Sequence, residues 1–274
     1  MGDDDLYGLL TGLAALSPER DAGLNALVRA VCGDALSLPT LPAEGPASED
    51  ARLAEFAEQF AVDVSAISAE QRSAFLEAFG RKSFHVAVLI FIADYLPRVR
   101  VGLAALGFAP VVDPVVWDPD TDPVDLLLNR FAPTVGALRG LDPVTTEVVR
   151  LRGATQHDCR LCKSLREGAA LDAGGTESLY ADIERYESSA LLDERHKAAL
   201  RFVDAMIWTP SKIDPDVAAG VREHFTDAEA LELVLDVMRN ACNKIAVALG
   251  GDAPRVEAGT ERYLLGVDGQ PVYG

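Results

Sequence analysis

The sequence predicts an all-α protein, and three observations carry that expectation. Ala, Leu, Glu, Arg and Asp dominate, apolar residues recur three and four positions apart, and β-branched alternating stretches are short. The pattern outlines helices over about 4–16, 19–33, 49–62, 69–78, 82–106, 123–139, 143–154, 159–172, 175–183, 192–207, 214–223 and 227–249.

Taken in order, the helix starts carry capping signals: Ser17 with Pro18, Asp142 with Pro143, and Asp158 ahead of Cys159. Residues 37–48, rich in Pro, Leu and Ser, predict a loop. The apolar run 86–96 is interrupted by Asp94 and falls short of the roughly 20 residues of a spanning helix, so it predicts a buried core helix. Four prolines and several aspartates in 109–123 predict an inter-domain linker. After Gly250 no helical period remains, and the tail is expected to be an extended or hairpin segment.

Shifting the chain by 146 residues matches Phe56 with Phe202, Ile67 with Ile213, Phe79 with Phe225 and Leu103 with Leu249. Both stretches then predict a helix, a short helix, a turn and a long apolar helix, which indicates a diverged tandem duplication. The expected organisation is an N-terminal helical domain over 1–112 without a CxxC motif, a linker at 113–124, a CxxC domain over 125–255 and a tail over 256–274.

A formal net charge of -18, with no run of Lys and Arg, argues against nucleic acid and anionic membrane as partners. Three aspartates follow Met1 and Gly2 where a secretory leader has basic residues, so a cytoplasmic location is expected. A mean hydropathy of +0.11 beside so many acids predicts extensive helix packing and a homo-oligomer.

Of the four cysteines only Cys159 and Cys162 have chemical spacing, and Cys32 and Cys242 are expected in the core. Three apart on a helix, two thiols share one face within bonding range. With Asp158 as cap, Cys159 would lie in the first turn. The helix dipole and the nearby Arg160, Lys163 and Arg166 would then favour a thiolate. A low-pKa thiol attacks, and its neighbour resolves the adduct as a disulfide. Neither the other cysteines nor the four histidines supply metal-ligand spacing, so no metal is expected. No cofactor is implied either: there is no GxGxxG after a strand, no Walker loop, and Lys163 excludes a haem CxxCH. Glu147 lies on the face of a helix with Val144, Val148 and Leu151, either as a partly buried acid near the thiols or as the ion-pair partner of Arg150. His157 either donates to a thiolate or faces solvent. His85, His196 and His224 suit structural or exposed roles, and Arg239, Asn240, Asn243 and Lys244 form a polar stripe expected to be solvated.

The spacing of Glu147, Cys159 and Cys162 resembles the alkylhydroperoxidase D-like (AhpD-like) branch of the carboxymuconolactone decarboxylase superfamily. The downstream segments ALRFVDAM, PSKIDPDVAAGVREHFTDAEALELV and RNACNKIAVALGG follow that family's helix order, and the resemblance covers about residues 125–255. It implies an AhpD-like helical bundle, a dimer, trimer or hexamer, and a thiol-dependent peroxidase or disulfide reductase using a small-molecule peroxide or disulfide and a thiol-protein electron donor. By the same resemblance Cys162 attacks, Cys159 resolves and Glu147 joins the proton relay. Arg166 stands where the family has a histidine, and Leu161 where some members have another. An arginine holds an anion but passes on no proton, so the activity is expected to be weakened or altered. Two alternatives remain: a decarboxylase acting on a small lactone acid, and a non-catalytic oligomeric module.

Overall fold

The computed structural model describes residues 3–273; Met1 and Gly2, which open the stretch argued against a leader, and Gly274 at the end of the tail lie outside them. The protein is all-α with one small sheet, as the composition predicted. The N-terminal half consists of α1 (Asp3–Ala15), α2 (Ala22–Leu36), α3 (Ala51–Val62), α4 (Ala69–Phe79) and α5 (Ser83–Ala105). A π-helical stretch, Asp125–Phe131, then leads into α6 (Ala132–Gly136) and α7 (Pro143–Gln156).

Beyond α7 the expected helix over 159–172 is divided. The elements are α8 (Arg160–Lys163), a single turn, β1 (Leu165–Glu167) and α9 (Gly168–Asp172). Next come α10 (Glu177–Ala181), α11 (Glu194–Trp208), α12 (Pro215–His224), α13 (Asp227–Ala241) and α14 (Asn243–Leu249). The expected single helix over 227–249 thus breaks at Cys242. The tail forms the anticipated hairpin, β2 (Glu261–Leu265) antiparallel to β3 (Pro271–Tyr273), and β2 also pairs in parallel with β1. That pairing explains the lost helix: the backbone of Leu165, Arg166 and Glu167 is taken by the tail, and tertiary pairing overrides their helix propensity.

The helix ends correct two further expectations. Asp142 caps α7 as expected, its carboxylate accepting from Thr145 N at 2.9 Å. Ser17 caps nothing; its hydroxyl is buried without a partner, and a 3₁₀ turn over Glu19–Asp21 precedes α2. Asp158 is not the cap of the CxxC helix either. It closes α7 in left-handed conformation, φ 51°, and Cys159 takes the N-cap position. Asp is among the few side chains that tolerate this backbone.

The 146-residue repeat is visible in the elements. Moving α3, the 3₁₀ turn Val64–Ala66 and α4 by that shift lands them on α11, the 3₁₀ turn Pro210–Lys212 and α12, and α5 lands on α13 and α14. Ile67 and Ile213, which end the two 3₁₀ turns, have φ/ψ of −61/116° and −62/118°. One apolar core, from Leu6 to Ala248, runs through both halves, and a second, smaller cluster gathers around Val148, Tyr180, Ile183 and Leu200.

From Val86 to Val99 α5 is buried on every side, as its almost wholly apolar sequence, broken there by Asp94 and Arg98, requires. Asp94 accepts from Arg98 Nε at 2.7 Å and from Lys244 Nζ at 2.5 Å, and none of the three is solvent-exposed. Arg98 also donates to the carbonyls of Ala61, at the end of α3, and of Met206 and Ile207, at the end of α11. One buried cation therefore satisfies free carbonyls at the C-termini of the two equivalent helices. Residues 109–123 lie across α1 and α2: at the end of α1 Ser17 N donates to Asp118 O and Asp118 N donates to Ala15 O, and the Trp117 ring covers Arg29. Among the described residues no helix is long and apolar enough to cross a membrane.

Candidate functional site

The thiols meet where α7 ends. The left-handed turn at Asp158 lets Cys159 N bond back to Ala154 O at 2.9 Å, which sends the chain across the end of α7 and into α8. Asp252 then pins α8, accepting from Arg160 N at 3.0 Å and from its guanidinium at 2.7 Å. Cys159 is wholly buried and Cys162 partly exposed, with 2.8 Å between their sulfurs. Cys159 donates to Cys162, and its own sulfur accepts from Cys162 N at 3.3 Å.

This geometry makes the two thiols unequal. Cys162 is drawn down to about 7, first by the hydrogen bond from Cys159 and further by the Arg150 cation and the Asn243 amide, against burial and the Asp252 carboxylate. Cys159 is driven far up, because its proton is held in the bond to Cys162 and because it is buried. A thiol near 7 is substantially ionised in neutral solution, the condition for nucleophilic sulfur.

The cations expected to produce that effect are spent elsewhere. Arg160 is paired with Asp252, Lys163 with Asp158, and Arg166 with Glu177 at 2.8 Å through two nitrogens. The remaining Arg166 nitrogen binds the carbonyls of Lys163 and Leu165, so its guanidinium braces β1 against α10. The cation that acts on Cys162 is Arg150, which the sequence offered only as an ion-pair partner. Glu147 and Arg150 do form that pair, at 2.6 and 2.7 Å, but inside the protein, with Glu147 only 1% exposed. Arg150 passes the bracing on: it donates to the carbonyls of Cys162 at 2.9 Å and Leu165 at 2.8 Å, under the ring of Tyr263. Glu147 also accepts from Glu167 N at 3.2 Å. It acts on the thiols through Arg150.

His157 is buried, not solvent-facing. Its Nδ1 meets Asn243 Oδ1 at 3.0 Å and its Nε2 meets the Tyr95 hydroxyl at 3.2 Å. Burial, and the Lys244 cation after it, hold His157 well below its ordinary value, so the ring is neutral. A consistent assignment has Nδ1–H donating to Asn243 and Nε2 accepting from Tyr95. That leaves the Asn243 amide N–H₂ for the Cys162 side. The chain Tyr95, His157, Asn243, Cys162 stabilises a thiolate by hydrogen bonding; an amide in the middle relays no proton.

In front of Cys162 lies a pocket of about 320 Å³, walled by α13, α14 and the tail hairpin. The polar stripe expected to be solvated is part of its wall: Arg239, Asn240 and Asn243 line it, while Lys244 is buried behind. Cys32 is in the core, as expected, whereas Cys242 is only half-buried and faces this pocket. Among the described residues no three His, Cys, Asp or Glu side chains gather as a metal site would require.

No protein-family model matches the sequence. The uncharacterized proteins MT2376 and Rv2313c of Mycobacterium tuberculosis, strains CDC 1551 / Oshkosh and H37Rv, are each 56% identical over 275 residues, which is 97% of this chain and 96% of theirs. The chain belongs to their family. The uncharacterized protein YnjA of Escherichia coli is 24% identical over 135 residues, covering 49% of this chain and 74% of its own.

Proposed function

We propose that this family member is a thiol-dependent peroxidase or disulfide reductase of the alkylhydroperoxidase D-like type, with Cys162 as attacking and Cys159 as resolving thiol. One observation carries the reading: two sulfurs 2.8 Å apart, one buried and protonated, the other lowered to about 7 and facing a pocket. In the peroxidase reaction the Cys162 thiolate attacks a peroxide oxygen. An S–O bond forms, the O–O bond breaks, and the leaving alkoxide takes a proton to become the alcohol. Cys159 sulfur then attacks the sulfenic sulfur of Cys162, and hydroxide leaves with the Cys159 proton as water. An external dithiol returns the disulfide to two thiols by exchange.

Arg150 is a positioning residue in this scheme, favouring the thiolate and holding the Cys162 carbonyl, with Glu147 keeping Arg150 in place. Arg166 has no part in the chemistry, so the family histidine has no substitute at that position. The neutral His157 chain supports the thiolate through Asn243. The test is a titration with peroxide followed by trapping of free thiols. One intramolecular disulfide, reversed by a dithiol and absent in Cys162→Ser, is expected; two thiols that stay reduced would end the proposal.

A further inference from the structure

The pocket at Cys162 differs in charge from the rest of the chain. The sequence has 43 acidic residues against 25 basic ones, yet the pocket is lined by Arg150 and Arg239 and by no carboxylate. Its remaining walls are largely apolar, among them Leu128, Leu165 and Leu265. Arg150 is committed to Glu147 and two carbonyls. Arg239 is not so committed: its Nη1 reaches Asp236 and Asn240 Oδ1 at 3.4 Å each, long for charge-assisted bonds. Beside it, Asn240 Nδ2 is buried and has no acceptor. A buried amide donor without a protein acceptor is unfavourable, so a ligand oxygen placed there would be held by it.

We infer that this pocket takes an apolar organic molecule ending in a carboxylate, with Arg239 and Asn240 holding the acid while the opposite end meets Cys162. Resting on the peroxidase reading, the substrate is then an organic hydroperoxide that carries a carboxylate. Cys162 attacks its peroxide end by the step already balanced above, and the carboxylate leaves with the alcohol product unchanged.

Two arms separate this inference from the reading it rests on. In the first, octanoate or octanol is added and alkylation of Cys162 by iodoacetamide is followed by mass spectrometry, which needs a thiol but no turnover. Octanoate is expected to slow alkylation where octanol does not, and Asn240→Leu and Arg239→Gln are each expected to lose that protection. Equal effects of acid and alcohol, or protection that persists in both variants, would overturn the inference; if Arg239→Gln fails to fold, Asn240→Leu decides.

In the second arm a short ω-hydroperoxy fatty acid is compared with its methyl ester. The acid is expected to be preferred by about tenfold in kcat/KM, and the ratio should fall toward one in the variants. A ratio of one in the unaltered protein would overturn the inference. Acid protection in the first arm without turnover of any peroxide would leave the acid site standing and overturn the peroxidase reading.

Discussion

Ser37 and Asp158, 121 residues apart, close α2 and α7 in the same way, and among the described residues they are the non-glycine positions with left-handed backbone, φ 53° and 51°. Ser37 N bonds Asp34 O and Leu38 N bonds Gly33 O; Asp158 N bonds Thr155 O and Cys159 N bonds Ala154 O. The same offset sets Arg29 against Arg150, and Leu38 and Leu41 against Cys159 and Cys162. Each arginine is buried, donates to backbone carbonyls and lies under an aromatic ring, Trp117 in one case and Tyr263 in the other. Those two rings are 146 apart, the shift of the repeat. The first copy lacks more than its thiols. The bond from Lys163 N to Cys159 O that closes α8 has no counterpart, because Pro42 at the equivalent position has no N–H. The cationic brace stands in both halves, the thiol pair in one.

Removing the Cys159 donor is predicted to raise Cys162. In Cys159→Ala the largest cause of its lowering is gone, and burial and Asp252 remain to push upward. Alkylation of Cys162 should turn on as pH rises through about 7 in the unaltered protein, and only at higher pH in the variant. Asn243→Leu should shift the profile in the same direction by less. Rate against pH, read at Cys162 by mass spectrometry, checks both; superimposable profiles would contradict the described hydrogen bonding.

Glu147 and Arg150 are predicted to behave as one unit. Breaking a buried pair from one side strands a charge, at a cost of about 3–5 kcal/mol. Glu147→Ala and Arg150→Ala should each destabilise the fold on that scale, and the double substitution should cost clearly less than their sum. Denaturant unfolding of the four proteins provides the cycle. Strict additivity would mean that the pair, 2.6 Å apart, carries no coupling.

The local parts of this site were legible in the sequence and the assembled parts were not. CxxC spacing and the Glu147–Arg150 interval are short-range, so both pairs were foreseeable. That Arg150 faces Cys162 depends on β1 and the tail hairpin closing around it, and no local period records that pairing. His157 gains its role from Tyr95 and Asn243, 62 and 86 residues away in sequence. Arg160, Lys163 and Arg166 looked suitable through proximity alone; Asp252, Asp158 and Glu177 claim them. The stripe Arg239, Asn240 and Asn243 lies on a helix face that looks solvated until the tail folds over it.

Glu232 predicts a pH dependence of stability. Burial, and Asp236 after it, raise its carboxyl to about 7. The folded state therefore holds a proton that the unfolded chain, near the ordinary carboxylate value of about 4.3, has released. Stability from this group is fully present below the unfolded value and is lost as pH rises through about 7. Glu232→Gln should flatten that decline in thermal unfolding measured across the interval, while its amide oxygen remains available to Gly140 N, which bonds Glu232 at 2.6 Å. An unchanged slope would remove Glu232 as the cause.

Gly269 is predicted to control access to Cys162. It holds the turn of the tail hairpin at φ 75°, where an added Cβ would lie 1.9 Å from Pro133 O and 2.6 Å from Ala137 N. These contacts are with backbone, which cannot swing aside as a long side chain would, and the left-handed conformation already disfavours any other residue. Gly269→Ala must therefore lift the β2–β3 turn away from α6. Pro271, Tyr263 and Tyr273 of the hairpin wall the pocket, so the lift should open it to solvent. Faster alkylation of Cys162 and earlier proteolytic cleavage in the tail are expected together, because both follow from the same detachment. Faster cleavage with an unchanged thiol rate would show that the hairpin covers the pocket without governing entry to it.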